Sequence, residues 1–264
     1  MNKNVLVDIN TTRVVDMKVS GASSLAGGEF KSLRISGSAR INGSIICEDC
    51  HCSGSCRLDG DLEAESVRSS GSVKISGRLI AGEVHTSGSL CCKDADLKGE
   101  LHSSGSSVFE GDLKATRIRS SGALNCGGNL HCEQMSTSGK CTVAGNLEAE
   151  TFECTGSVEV PGLLNAETLY IYPCNRSKVG SIGGSDIRIL IRDKGGWNFL
   201  GRFTPESQIE VGTIEGDRVE LEATKAEIVR GRDVKIGKGC MIDLVEYTGT
   251  LTAEAGTVKR SVKV

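Results

Sequence analysis

A Ser-Gly or Thr-Gly pair returns every 17 residues through the middle of the chain, with its glycine at positions 37, 54, 71, 88, 105, 122, 139 and 156. A second glycine series keeps the same interval six residues later, at Gly43, Gly60, Gly77, Gly111, Gly128, Gly145 and Gly162, with Asp94 standing in the vacant place. A fixed period of this kind specifies stacked units, each in contact chiefly with its neighbours. Between the glycines, apolar and polar residues largely alternate, the mark of strands with one buried face. Four places after each pair-glycine come Ile41, Leu58, Ile75, Cys92, Phe109, Cys126, Val143 and Val160; thirteen places after it come Cys50, Val67, Val84, Leu101, Ile118, Met135, Phe152 and Leu169. These columns are expected to point inward. A third, Ile45, Leu62, Leu79, Leu113, Leu130, Leu147 and Leu164, is disturbed near Asp96 and Leu97, in the unit that lacks its second glycine.

Seventeen residues are too few for a returning strand and a helix of ordinary length, about 11 residues. The unit is therefore nearly all β, and the expected fold is an all-β parallel β-solenoid with one turn per repeat. Glycine is expected at the corners for its access to backbone angles closed to other residues. With turns about 4.8 Å apart, the eight regular turns from Gly37 to Tyr172 make a rod on the order of 40 Å long.

Aromatic residues are only 3% of the 264, which suits a narrow core filled by small aliphatic groups. A formal charge of −3 gives no general attraction to nucleic acid, which is not expected as a partner. No apolar run approaches the roughly 20 residues of a membrane span, and Met1–Asn10 lacks the features of a signal peptide. The expected location is the cytoplasm, with any membrane attachment peripheral.

Twelve cysteines suggest chemistry, above all Cys47, Cys50, Cys52 and Cys56, whose close spacing resembles a zinc cluster. The repeat register assigns them instead to inward columns, Cys47 with Ala64 and Ala81, Cys50 with Val67, Cys56 with Val73. Cys92, Cys126, Cys132, Cys141 and Cys154 fall on inward columns too, so nine of the twelve read as small buried hydrophobes. No metal or other cofactor is expected, and a disulfide framework is disfavoured in a long chain with its own core. His51, His85 and His102 share an outward column with Arg68 and Arg119, and Glu48, Glu65, Glu133, Glu150 and Glu167 form an acidic one beside it. The serines of the repeat, Ser36 to Ser138, have no base at a constant offset, as a nucleophile needs. They read as a hydrogen-bonded corner ladder, and no catalytic residue is assigned.

The regular repeat is expected over 21–172, after an N-terminal tail or cap over 1–20. It stops near Pro173, and 173–205 reads as an irregular, Gly-rich insertion with a β-hairpin. Its stretch from Cys174 to Thr204 carries a local charge of +4. Arg176, Lys178, Arg188, Arg192, Trp197, Phe199 and Arg202 make it a candidate partner patch. Two or three looser turns follow over 206–247, and 248–264 reads as a polar tail.

Short-period glycine repeats with inward Val, Ile and Leu resemble the bactofilins, polymer-forming bacterial cytoskeletal proteins. The stretches Ile214-Glu215-Gly216-Asp217, Val229-Arg230-Gly231, Val234-Lys235-Ile236-Gly237 and Leu244-Val245-Glu246-Tyr247 resemble the longer Gram-positive members in particular. The resemblance implies a right-handed β-helix joined end to end into nonpolar, nucleotide-free filaments that scaffold the cell envelope or cell shape. It implies as partners further copies of the chain and cell-envelope proteins, and no enzymatic activity. Unpaired strand edges at the two ends of a solenoid template the addition of further chains. The contact is expected around Phe30, Leu33, Ile35 and Ile41 at one end and Val234, Ile236, Ile242 and Leu244 at the other. The alternative is a monomeric or oligomeric adaptor that binds a protein or polysaccharide partner through residues 174–204. A polysaccharide-acting enzyme or a hexapeptide acyltransferase is disfavoured, because no convergent acid-base cluster is legible and 17 does not divide into six-residue units.

Overall fold

The computed structural model describes residues 15–191 and 208–264. Every regular element among them is a strand, and the strands coil into a parallel β-solenoid of about 14 turns, spaced roughly 17 residues apart. In chain order they are β1 (Val15–Val19), β2 (Ala22–Ile35), β3 (Ser38–Cys52), β4 (Ser55–Asp59), β5 (Leu62–Ser69), β6 (Ser72–Ile75), β7 (Leu79–Thr86), β8 (Ser89–Cys92), β9 (Ala95–Leu97), β10 (Glu100–Ser103) and β11 (Ser106–Phe109). They continue with β12 (Leu113–Ser120), β13 (Ala123–Cys126), β14 (Leu130–Thr137), β15 (Lys140–Val143), β16 (Leu147–Cys154), β17 (Ser157–Ile171), β18 (Ser177–Ile189), β19 (Ile209–Leu221), β20 (Thr224–Ile236), β21 (Met241–Ala253) and β22 (Val258–Lys263).

Both inward columns are buried throughout. The second runs unbroken from Cys50 through Val67, Val84, Leu101, Ile118, Met135, Phe152 and Leu169, and on through Ile187, Val219 and Val234 to Leu251. An odd period reverses strand alternation at each turn unless a corner absorbs a residue. Paired outward residues such as Glu48-Asp49 perform that correction, so Cys47 and Cys50 both face the core.

The corner glycines are required for a different reason from the expected one. Of the two repeat series only Gly43 has a positive φ, 101°. At Gly54, Gly71, Gly88, Gly105, Gly122, Gly139 and Gly156 a β-carbon would collide with the carbonyl oxygen of the glycine one turn earlier. Stacked carbonyls, rather than backbone angles, exclude side chains there. The second series clears space for a ladder that the glycine spacing alone did not reveal. Asp61 Oδ1 accepts the N–H of Arg78 at 2.7 Å, Asp112 that of Asn129 at 2.7 Å, Asn129 that of Asn146 at 2.9 Å and Asn146 that of Leu163 at 2.9 Å. A β-carbon on Gly77, Gly128, Gly145 or Gly162 would strike those same oxygens. Asp94 keeps the ladder going by accepting the N–H of Asp112 at 3.0 Å. Its unit is one residue short and the next one long: Leu79 pairs with Ala95, which pairs with Leu113, so Ala95 holds the third column.

The boundaries differ from expectation in three places. β1 already stacks in parallel on Phe30–Ile35, so the solenoid extends below residue 21. The expected hairpin in 173–205 is absent from its described part: β18 is a full turn, parallel to β17 and β19. Extra residues at Cys174–Arg176 move the register from 17 to 19 and then 18, as in Glu159 opposite Lys178 and Leu164 opposite Ile182, which hides the repeat. Residues 248–264 belong to the stack through β21 and β22. Among the described residues, β1 and β22 are the outermost strands. β1 covers only the second half of β2, and β22 only the first half of β21.

Candidate functional site

The thiols are where the register puts them. All nine inward cysteines are buried, as is Cys240; Cys91 is half-buried and Cys174 exposed. Burial pushes Cys56, Cys92 and Cys132 up to about 12 and Cys154 and Cys240 up to about 11, from an ordinary 9.0. A thiol–thiol hydrogen bond lowers Cys47 and, with burial, raises Cys50. Among the described residues no three His, Cys, Asp or Glu side chains are grouped as a metal ion would require, and Cys47, Cys50, Cys52 and Cys56 are all buried in the core. Two outcomes are expected. Native protein treated with a thiol reagent is labelled first at Cys174, with the buried thiols reacting only on unfolding, as peptide mass mapping would show. Stability is full below pH 9 and falls as pH rises toward 12, because thiols freed by unfolding ionise while buried ones keep their protons; an alkaline thermal-melt series would show it.

The outward histidine column forms as read, and the His85 and His102 rings stack with centroids 5.8 Å apart. His85 lies 3.6 Å from Glu83 and His131 lies 3.4 Å from Glu148. No histidine hydrogen-bonds a serine among the described residues. Nor do the corner serines bond one another as expected: Ser36 and Ser53 donate to the carbonyls of Val19 and Ile35 at 3.3 and 3.4 Å.

The expected assembly residues sit deeper than the ends. Leu33, Ile35, Ile41, Val234, Ile236 and Ile242 are buried, while Phe30 and Leu244 are half-buried. Each already has strand partners on both sides, for example Leu33 between Met17 and Cys50, and Val234 between Val219 and Leu251. The edges open on their outer side lie a turn further out, on β1 and β22 among the described residues. Val264 N–H donates inward to the Tyr247 carbonyl at 3.0 Å. By strand alternation, Ser261 and Lys263 turn their N–H groups to the outer edge.

The expected partner patch is divided. Arg176 and Lys178 are exposed at the start of β18. Arg188, near its other end, grips the buried Asp186 with two 3.1 Å hydrogen bonds and lies 5.4 Å over the Tyr170 ring. Arg218 joins the same carboxylate at 3.1 Å, binding β19 to β18. Arg192, Trp197, Phe199 and Arg202 lie outside the described residues. A shallow groove of about 780 Å³ runs over Gly183, Gly184, Gly216 and Gly231, beside the Arg230–Glu246 pair at 2.6 Å.

Over 66 residues the chain is 42% identical to "uncharacterized protein YhbE" of Bacillus subtilis (strain 168), a segment covering 25% of this chain and 28% of that protein. Over 71 residues it is 42% identical to "uncharacterized protein YhbF" of the same organism, covering 27% and 28%. The chain thus matches less than a third of the length of each of these curated relatives. No protein-family profile matches it, and no solved structure does. Among the described residues, no helix is long and apolar enough to cross a membrane.

Proposed function

We propose that this chain is a non-enzymatic scaffold protein that assembles end to end, without nucleotide, into filaments of the bactofilin kind serving the cell envelope or cell shape. The observation that carries the reading is the pair of partial end turns. β1 and β22 each present an outer row of backbone donors and acceptors with no strand upon it among the described residues, and such rows recruit further strands. Among the described residues the core column reaches the outermost turns, so an added chain would also continue an apolar stack from Met17 or Leu251. The bactofilin-like segments between Ile214 and Tyr247 support the same assignment.

Size-exclusion chromatography and negative-stain microscopy of nucleotide-free protein are expected to show rods that lengthen with concentration. Ser261→Pro, which removes an outward N–H from β22, is expected to shorten or abolish them with little change in melting temperature. A sample that stays monomeric and filament-free across micromolar concentrations overturns the reading.

A further inference from the structure

Three successive turns carry the same surface motif at the Ser-Gly corner. They read Arg34-Ile35-Ser36-Gly37-Ser38-Ala39-Arg40, His51-Cys52-Ser53-Gly54-Ser55-Cys56-Arg57 and Arg68-Ser69-Ser70-Gly71-Ser72-Val73-Lys74. Register stacks them in line: Arg34, His51 and Arg68 form one column, Arg40, Arg57 and Lys74 a second. The alternate positions between, Ile35, Ala39, Cys52, Cys56, Ser69 and Val73, are buried. Twelve outward side chains remain, and all are exposed: six basic and six serine. Two rails of cations, with a rung about every 4.8 Å, therefore flank a serine-covered crest along the solenoid axis.

None of the six basic side chains forms an ion pair among the described residues, and the hydroxyls of Ser38, Ser55 and Ser72 have no hydrogen bond there. Asp49 shares a cleft with Arg34, His51 and Arg68 without pairing to them, and Asp59 lies two residues beyond Arg57. On one side the column continues through Lys18 before it and His85, His102 and Arg119 after it, where Glu83 lies 3.6 Å from His85 and Glu100 3.5 Å from Arg119. In a chain of net charge −3, this is a local concentration of positive charge and free hydroxyl donors.

We propose that this crest is a binding track for a flexible, unbranched phosphate polymer lying parallel to the solenoid axis. Arginine and lysine on both rails would meet successive phosphates, and the hydroxyls of Ser38, Ser55 and Ser72 would donate to their free oxygens. A regular one-dimensional array suits a linear polyanion. The track has no aromatic side chain on which a nucleobase would stack, which disfavours nucleic acid. It has no exposed apolar side chain to enter a bilayer, which disfavours a membrane surface. The track lies on the side of the rod, so it does not depend on the end strands.

The test measures end-labelled inorganic polyphosphate binding to the full chain by fluorescence anisotropy. With five permanent cations engaged, affinity is expected to fall on the order of a hundredfold between about 50 and about 200 mM salt. The triple variant Arg40→Gln, Arg57→Gln and Lys74→Gln is expected to bind at least about tenfold more weakly at the lower salt and with a shallower salt slope. Lys98→Gln, Lys114→Gln and Lys238→Gln together remove the same charge elsewhere and are expected to leave binding within about twofold, as a comparison of net charge alone requires. Circular dichroism confirms that both variants fold, and Ser261→Pro, aimed at end-to-end assembly, is expected to bind as the parent does. The proposal is overturned if polyphosphate fails to bind, or if the two triple variants weaken it equally. It is also overturned if a single-stranded oligonucleotide or phosphatidylglycerol vesicles bind with the same dependence on Arg40, Arg57 and Lys74.

Discussion

Gly88→Ala is expected to destabilise the chain by about 3 kcal/mol, the upper part of the range for forced overpacking. The added β-carbon would fall on the Gly71 carbonyl oxygen. The backbone has little freedom to withdraw. Ser87 N–H is held by the Ser69 carbonyl at 2.9 Å, Ser89 N–H by that of Gly71 at 2.9 Å, and the Gly88 carbonyl is itself engaged by Ser106 N–H at 2.9 Å. Displacing one corner therefore loosens hydrogen bonds to the turns on either side. Gly21→Ala is the matched control, because a β-carbon there meets nothing within 4 Å. Urea unfolding of both variants decides the point, and a Gly88→Ala loss within about 0.5 kcal/mol of the control would sink the carbonyl-stacking account.

The second large effect is in the core. Phe109 is fully buried and stacks in its column between Cys92 and Cys126, two small side chains. Phe109→Ala is expected to cost about 4 kcal/mol, because a cavity of phenyl size opens where neither neighbour is long enough to fill it. In a stack whose turns touch chiefly their neighbours, the loss is also expected to divide unfolding, with the turns before β11 and after it melting separately. Denaturant titration with hydrogen exchange reads both effects. A loss below about 1.5 kcal/mol would mean that the column collapses onto the gap.

The inward columns were legible because burial selects side-chain character at a fixed interval, and a stack of identical turns repeats that selection. Cysteine in an inward column reads as core for the same reason, as Cys47 and Cys50 do. The Asp61–Asn146 ladder is not legible in the sequence because its role is filled by any short side chain with an acceptor oxygen. Asp61, Asp112, Asn129 and Asn146 do not look alike as a column, and Ser44 begins it by accepting the Asp61 N–H at 3.0 Å. The glycines stand out in the sequence but their cause does not, since carbonyl crowding is a property of neighbouring turns and not of local sequence. β18 was lost to the register shift at Cys174–Arg176, which leaves its apolar alternation intact but out of step. Lys259, Arg260 and Lys263 give β22 the polar look of a tail; its partner β21 is what makes it a strand.

The partial turns at the two ends have a consequence for length. Traced through the columns, β22 occupies the part of the circuit that leads up to Tyr247, and β1 the part that begins at the equivalent of Phe30. Among the described residues these two outermost strands hold complementary parts of the circuit and are in phase. Adding or removing a whole unit leaves that phase untouched and moves the ends apart or together by about 4.8 Å. A fraction of a unit rotates one end against the other. The stretch between β1 and β22 can therefore change its length in whole turns while these two strands keep the same relation around the axis.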